Sequence, residues 1–244
     1  MSPAERRATV EALPSSLPAE LAPPPEGDPH RKPKIGAVGA LDAFFKRSGR
    51  KVYLSSELAT YYPGARLFAP DVLAVVDVET HDRDCWVVAE EGKGLDFILE
   101  IHVKGDRAKD HQRNVRWYAE LGIPEYFLFD RRRGRLLGWR LPPSGASSYE
   151  PILAQRGRLE SRVLGLWRAL EASPPPSPLT RLRFYAGTAV VPEPEEIAER
   201  LEATVTELIQ QRADAEAARS DAERRLTEAL EAARAEIERL KRGR

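Results

Sequence analysis

The 244-residue sequence predicts a mixed α/β domain followed by one long charged helix. Three observations carry that expectation. Apolar strand-like runs flank a helix-like segment in strand–helix–strand order. Proline is concentrated at the N-terminus, with eight of the 20 in residues 1–33. Beyond Pro194 there is none, and apolar or small residues recur there every three or four positions.

The elements follow in order. Residues 1–34 predict a proline-rich leader, disordered or loosely docked and without a long helix, because proline fixes φ and removes backbone donors. A globular domain is expected over 35–191. It opens with a short helix around Leu41 to Phe45 and a strand at 51–54. Residues 71–79 are β-rich and follow Pro70. Residues 96–103 are apolar on both faces, as a central covered strand requires. Residues 107–121 predict a helix stopped by Gly122. Strands are expected at 125–130 and 135–140, joined by the turn Arg131-Arg132-Arg133-Gly134. Two strands around one helix imply a crossover within a mixed sheet. Residues 192–244 predict a continuous helix whose stripe breaks its heptad like a stutter between Ala222 and Leu226. Such a seam, rich in alanine, predicts a weak homodimer through a coiled coil.

Composition excludes several classes. Acidic and basic residues balance at 38 each, so no global positive charge points to nucleic acid. The balance is uneven along the chain. The 52 residues from Glu193 carry 14 acids and 10 bases, leaving 28 bases and 24 acids on the body. One cysteine, Cys85, rules out a disulfide framework or a cysteine-rich zinc site within one chain and fits a reducing compartment. No run approaches the roughly 18 apolar residues of a membrane helix. Residues 1–33 lack the apolar core of a signal peptide. The expectation is a cytoplasmic protein with no membrane partner.

Most enzyme templates fail. His30, His81, His102 and His111 are too scattered for a metal-binding HExxH motif, and no phosphate loop or GxSxG occurs. One constellation remains. Asp71 opens one strand and Glu100 sits inside the next strong one. A carboxylate within an apolar strand is costly unless it is paired, hydrogen-bonded or bound to a cation. Two carboxylates on adjacent strands make a hard-oxygen site for Mg²⁺ or Mn²⁺. Alternation places His102, then Lys104, on the face of Glu100. The plainer alternative pairs Glu100 with Lys109 or Arg113. The basic turn from Arg131 reads as a solvated hairpin tip, with phosphate contact as the alternative. Asp42 could add an acid from the first helix, and Glu125 is expected to order its turn.

Pro70-Asp71, the segment Leu95-Asp96-Phe97-Ile98-Leu99-Glu100-Ile101 and the stretch running from Asp110 through Tyr118-Ala119-Glu120-Leu121-Gly122-Ile123-Pro124-Glu125-Tyr126-Phe127-Leu128-Phe129-Asp130 carry a resemblance. Over about residues 41–191 the chain resembles the Uma-type restriction endonuclease family of the PD-(D/E)xK nuclease superfamily. The resemblance implies a restriction-endonuclease-like mixed sheet flanked by helices. It implies metal ligation by Asp71, Glu100 and the carbonyl of Ile101, and DNA as substrate. The chain departs from the pattern in two places. His102 stands where the superfamily has lysine, and Asn114 stands where family members have a helical lysine four residues before the tyrosine. The catalytic candidates are therefore Asp71, Glu100, His102, Lys104 and Lys109, with His102 as a base suited to neutral pH. The alternative is a catalytically inactive nuclease-fold module that binds DNA or a protein partner.

Overall fold

The computed structural model describes residues 2–16, 26–103, 109–173 and 180–242. Helix α1 (Pro3–Glu11) is started by a capping box in which Ser2 and Glu5 satisfy each other's backbone N–H. Helix α2 (Asp28–Ser48) is much longer than the short helix expected at Leu41, and it begins inside the proline-rich stretch. Proline proves compatible with it for two reasons. Pro29 lies in the first turn, where donors are unsatisfied anyway. Pro33 cannot bond the carbonyl of Pro29 four residues back, but the Arg131 guanidinium donates to that carbonyl instead.

The chain then forms β1 (Val52–Ser55), β2 (Ala59–Tyr61), β3 (Val72–Val76), β4 (Cys85–Val87), the single turn α3 (Val88–Glu91) and β5 (Phe97–His102). A π-helical turn (Lys109–Arg113) leads into α4 (Asn114–Glu120). Strands β6 (Glu125–Asp130), β7 (Arg135–Arg140), β8 (Glu150–Pro151), β9 (Leu159–Ser161), β10 (Leu166–Ala172), β11 (Thr180–Ala186) and β12 (Ala189–Val190) follow. Helix α5 (Pro194–Arg242) ends the described chain. Residues 1–194 and 195–244 are two compact units.

The main sheet has the order β1-β3-β5-β6-β7-β8. Strands β5 and β6 pair in parallel across the expected crossover, and β3 pairs antiparallel with β5. Among the described residues, a second sheet, β12-β11-β10-β9, and the parallel pair β2-β4 complete the set. Alternation divides the main sheet's side chains between two cores. Val72, Ala74, Phe97, Leu99, Phe127 and Phe129 face Leu41 and Phe45 of α2 and Leu166 and Phe184 of the second sheet. Leu73, Val75, Ile98, Tyr126 and Leu128 face Trp86 of β4 and Tyr118 of α4. Both faces of β5 are thus covered, as its unbroken apolar run predicts.

The first core also holds a cation. Arg168 is fully buried with its guanidinium 3.6 Å from the Phe127 ring centroid and 4.7 Å from that of Phe97. Burial lowers its pKa to about 9. Its contacts are with aromatic faces, and its side-chain nitrogens have no hydrogen-bond partner among the described residues.

Candidate metal centre

Strand register brings the first two acids together. Val72 lies opposite Leu99, so Asp71, one residue before β3, continues the ladder opposite Glu100. The Asp71 N–H donates to Glu100 Oε2 at 3.4 Å, and the Ile101 N–H donates to Asp71 Oδ2 at 2.7 Å. Glu100 is the one half-buried residue of β5, whose other residues are buried. From α4, the Tyr118 hydroxyl donates to Glu100 Oε1 at 2.6 Å. Burial, and then the Glu100 charge, push the Tyr118 phenol far above its ordinary range, so it remains a donor.

The third contribution comes from the segment that sequence reading treated as a leader. His30 on α2 places Nε2 3.1 Å from Asp71 Oδ2 and Nδ1 2.6 Å from Glu26 Oε1. Its pKa is raised to about 9, chiefly by the Asp71 hydrogen bond, which together with the Asp71 and Glu26 charges outweighs burial. Lys34 donates to both Glu26 oxygens at 2.7 Å and lies 2.7 Å from Glu57 Oε1. Burial alone would lower the Lys34 pKa; the hydrogen bonds to Glu26 and Glu57 raise it. The Glu57 N–H in turn bonds the Pro70 carbonyl at 2.9 Å. One contiguous polar network therefore runs from Lys34 to the Pro70-Asp71 turn. Among the described residues, Glu26, His30 and Asp71 each bring a ligand atom within 4.8 Å of the others. The i, i+4, i+8 spacing of Glu26, His30 and Lys34 was a readable signal, but the prolines around it argued against a helix.

The remaining candidates are scattered around this centre. His102 is buried, shares the Glu100 face by alternation and lies opposite Asp130 of β6. Its ring is 6.2 Å from that of His111, whose Nε2 is 3.6 Å from Asp130 Oδ2. His102 thus joins a neighbouring His–Asp–His group. Asn114 is buried at the start of α4. Lys104 and the side chain of Lys109 lie outside the described residues. Asp42 pairs with Lys46 at 2.8 Å along α2. Glu125 orders its surroundings: it accepts from Arg140 Nε at 3.0 Å, from the Arg162 N–H at 2.9 Å and from the Ser161 hydroxyl. The basic turn divides its labour. Arg133 caps Asp130, Arg132 and Arg135 are exposed, and Arg131 reaches back to α2. Arg131, Lys32 and Arg181 line a cavity of about 170 Å³ that also touches Glu193.

A family model described as "Putative restriction endonuclease", Uma2, matches residues 19–173. The chain belongs to the Uma2 family. The match begins ahead of α2, so it takes in Glu26, His30 and Lys34 as well as Asp71 and Glu100. A crystal structure described as a putative nuclease belonging to DUF820, from Anabaena variabilis ATCC 29413, aligns at a TM-score of 0.45 and 15% identity. That alignment covers 58% of this chain and 76% of the other. No curated protein matches the chain. Among the described residues, no helix is long and apolar enough to cross a membrane.

Proposed function

We propose that this Uma2-family domain is a divalent-metal endonuclease that hydrolyses DNA phosphodiester bonds. The observation that carries the reading is the placement of Asp71 directly opposite Glu100, with each carboxylate held by a donor from the other's neighbourhood. The donor set fits Mg²⁺ or Mn²⁺, for which carboxylate and carbonyl oxygens are the suited ligands. Asp71, Glu100 and the Ile101 carbonyl would hold the ion. A dication bound there supplies Lewis acidity at a phosphoryl oxygen. Tyr118 and the Ile101 N–H fix the two carboxylates in advance of substrate, which reduces the reorganisation needed on binding. His102 stands two residues beyond Glu100 as the candidate base, and Lys104 and Lys109 are the candidate cations.

DNA as substrate is supported by the cavity of Lys32, Arg131 and Arg181. Arg131 follows the end of β6 and its N–H bonds the His102 carbonyl at 3.0 Å, so this basic group lies at the metal centre's end of the sheet. Cationic groups there would hold a phosphate of the backbone. Helix α5 leaves Leu201, Leu208, Leu226 and Leu240 exposed, and a second copy of the helix would cover them as a weak coiled-coil dimer. Cytoplasmic location is part of the same reading.

The test is cleavage of plasmid and single-stranded DNA with and without Mg²⁺ or Mn²⁺. Metal-dependent nicking by the wild type, lost in Asp71→Asn and Glu100→Gln, is the expected outcome. A folded wild type inactive with either ion would leave the catalytically silent binding module as the better account. Sedimentation of the full chain at rising concentration tests the dimer, and a monomer at high micromolar concentration rejects it.

A further inference from the structure

The group on α2 has no part in the chemistry just described, yet its geometry resembles that of a metal-site histidine. Metal-bound imidazoles regularly donate their second ring nitrogen to a carboxylate, which fixes tautomer and ring orientation. His30 has that arrangement: Nδ1 is 2.6 Å from Glu26 Oε1, and Nε2 is directed at Asp71 Oδ2, 3.1 Å away. Two ligand atoms bound to one ion at about 2.0–2.2 Å lie roughly 3 Å apart, so the Nε2–Oδ2 separation suits a shared ion. Glu26 is itself fixed by Lys34, which is 4% exposed and clamped between Glu26 and Glu57. A carboxylate so firmly anchored can hold the ring in place when an ion occupies the other side.

We propose that His30 is a ligand of the metal centre through Nε2, oriented by Glu26, and that the centre therefore takes a first-row transition dication in preference to Mg²⁺. The proposal rests on the nuclease reading for the Asp71–Glu100 pair and adds a nitrogen donor to it. The chemical consequence follows from ligand type. An all-oxygen site suits Mg²⁺, Ca²⁺ and Mn²⁺, whereas imidazole favours transition ions over Mg²⁺. Glu26 acts as a positioning residue, because its contact is with the ring and with Lys34. Asp71 belongs to the sheet and His30 to α2, so the two would reach a shared ion from different layers of the fold.

The experiment uses the full chain with Mn²⁺ as the probe and reads coordination directly. Electron spin-echo modulation of bound Mn²⁺ should show a coordinated nitrogen in the wild type, which requires no variant to fold. The nitrogen signal should vanish in His30→Ala. In calorimetric titrations the preference for Mn²⁺ over Mg²⁺ should fall about tenfold or more in that variant, and Glu26→Gln should weaken Mn²⁺ binding by about 10–100-fold. Bound Mn²⁺ without coordinated nitrogen, or no bound Mn²⁺ at millimolar ion, overturns the proposal; His30 would then serve only as a bridge between two carboxylates. The two readings fail separately. Nitrogen-coordinated Mn²⁺ with no DNA cleavage under any ion rejects the nuclease and leaves the ligand. Cleavage supported by Mn²⁺ without coordinated nitrogen does the reverse.

Discussion

Replacing Tyr118 with phenylalanine removes one oxygen and leaves the ring in place, so it isolates a single contact of the centre. The Tyr118 hydroxyl is buried and donates to Glu100 Oε1 at 2.6 Å. A hydrogen bond to a charged group contributes about 1.5–3 kcal/mol. For a domain of this size 1 kcal/mol shifts the melting temperature by roughly 2–4 °C, so Tyr118→Phe should lower it by about 3–12 °C. Tyr149→Phe supplies the comparison. That hydroxyl donates at 2.7 Å to the Ile123 carbonyl, a neutral partner. Its loss should cost only about 0.5–1.5 kcal/mol. The two variants should separate more sharply in a metal titration. With one donor gone, Glu100 keeps the Asp71 N–H at 3.4 Å but is held less firmly, and a lost supporting contact of this kind weakens metal binding by about 10–100-fold. Tyr149→Phe should bind the ion like the wild type. Calorimetric titration with Mn²⁺ beside thermal melts reads both quantities. If Tyr118→Phe melts early yet binds Mn²⁺ as the wild type does, the hydroxyl is part of the core and Glu100 is not a ligand of the ion.

Three further outcomes follow from the surrounding structure. Gly138→Ala would set a methyl 2.5 Å from Phe127 Cε1, with Ile152 closing the other side, and should destabilise by about 1–3 kcal/mol in chemical denaturation. Glu125→Ala leaves Arg140, the Ser161 hydroxyl and the Arg162 N–H facing a void, so a loss of about 3–5 kcal/mol is expected in the same assay, while Glu125→Gln, which keeps an acceptor oxygen, should recover part of it. Burial alone would raise the Asp130 pKa, but hydrogen bonds from the Arg133 backbone and guanidinium, with the His102 charge, lower it below 3.8. Its contribution to stability is therefore complete above 3.8 and is lost as pH falls through the depressed folded value. Asp130→Asn should flatten the acid limb of the stability–pH curve, and an unchanged limb would assign acid sensitivity to other carboxylates.

The parts of the fold that repeat a simple period were legible in the sequence. Strands β3, β5, β6 and β7 and the parallel crossover lie where apolar runs placed them; β3, β5 and β6 are covered on both faces, and β7 is mostly half-buried. The short strands β9 to β12 were not resolved as a second sheet, since two to seven residues beside prolines carry little periodicity. The opposition of Asp71 and Glu100 could be anticipated from their strand positions. His30 could not, for a physical reason: the helix that carries it contains Pro33, and Arg131, about a hundred residues later, takes up the Pro29 carbonyl that Pro33 cannot bond. Local propensity holds no record of that long-range bond. The apolar spacing over 107–121 likewise predicts ordinary helix where the π-helical turn before α4 stands.

The Arg131–Pro29 bond also bears on where this protein can be cut. Hydropathy would invite a fragment beginning at residue 35, which keeps every strand of the main sheet and both of its acids. Such a fragment would lack Glu26, His30 and Lys34, and Arg131 would face solvent in place of a carbonyl. It could fold and still be the wrong object for measuring ion affinity. The useful boundary is set by the polar fastening of the helix start to the end of β6, several residues ahead of the first buried apolar side chain.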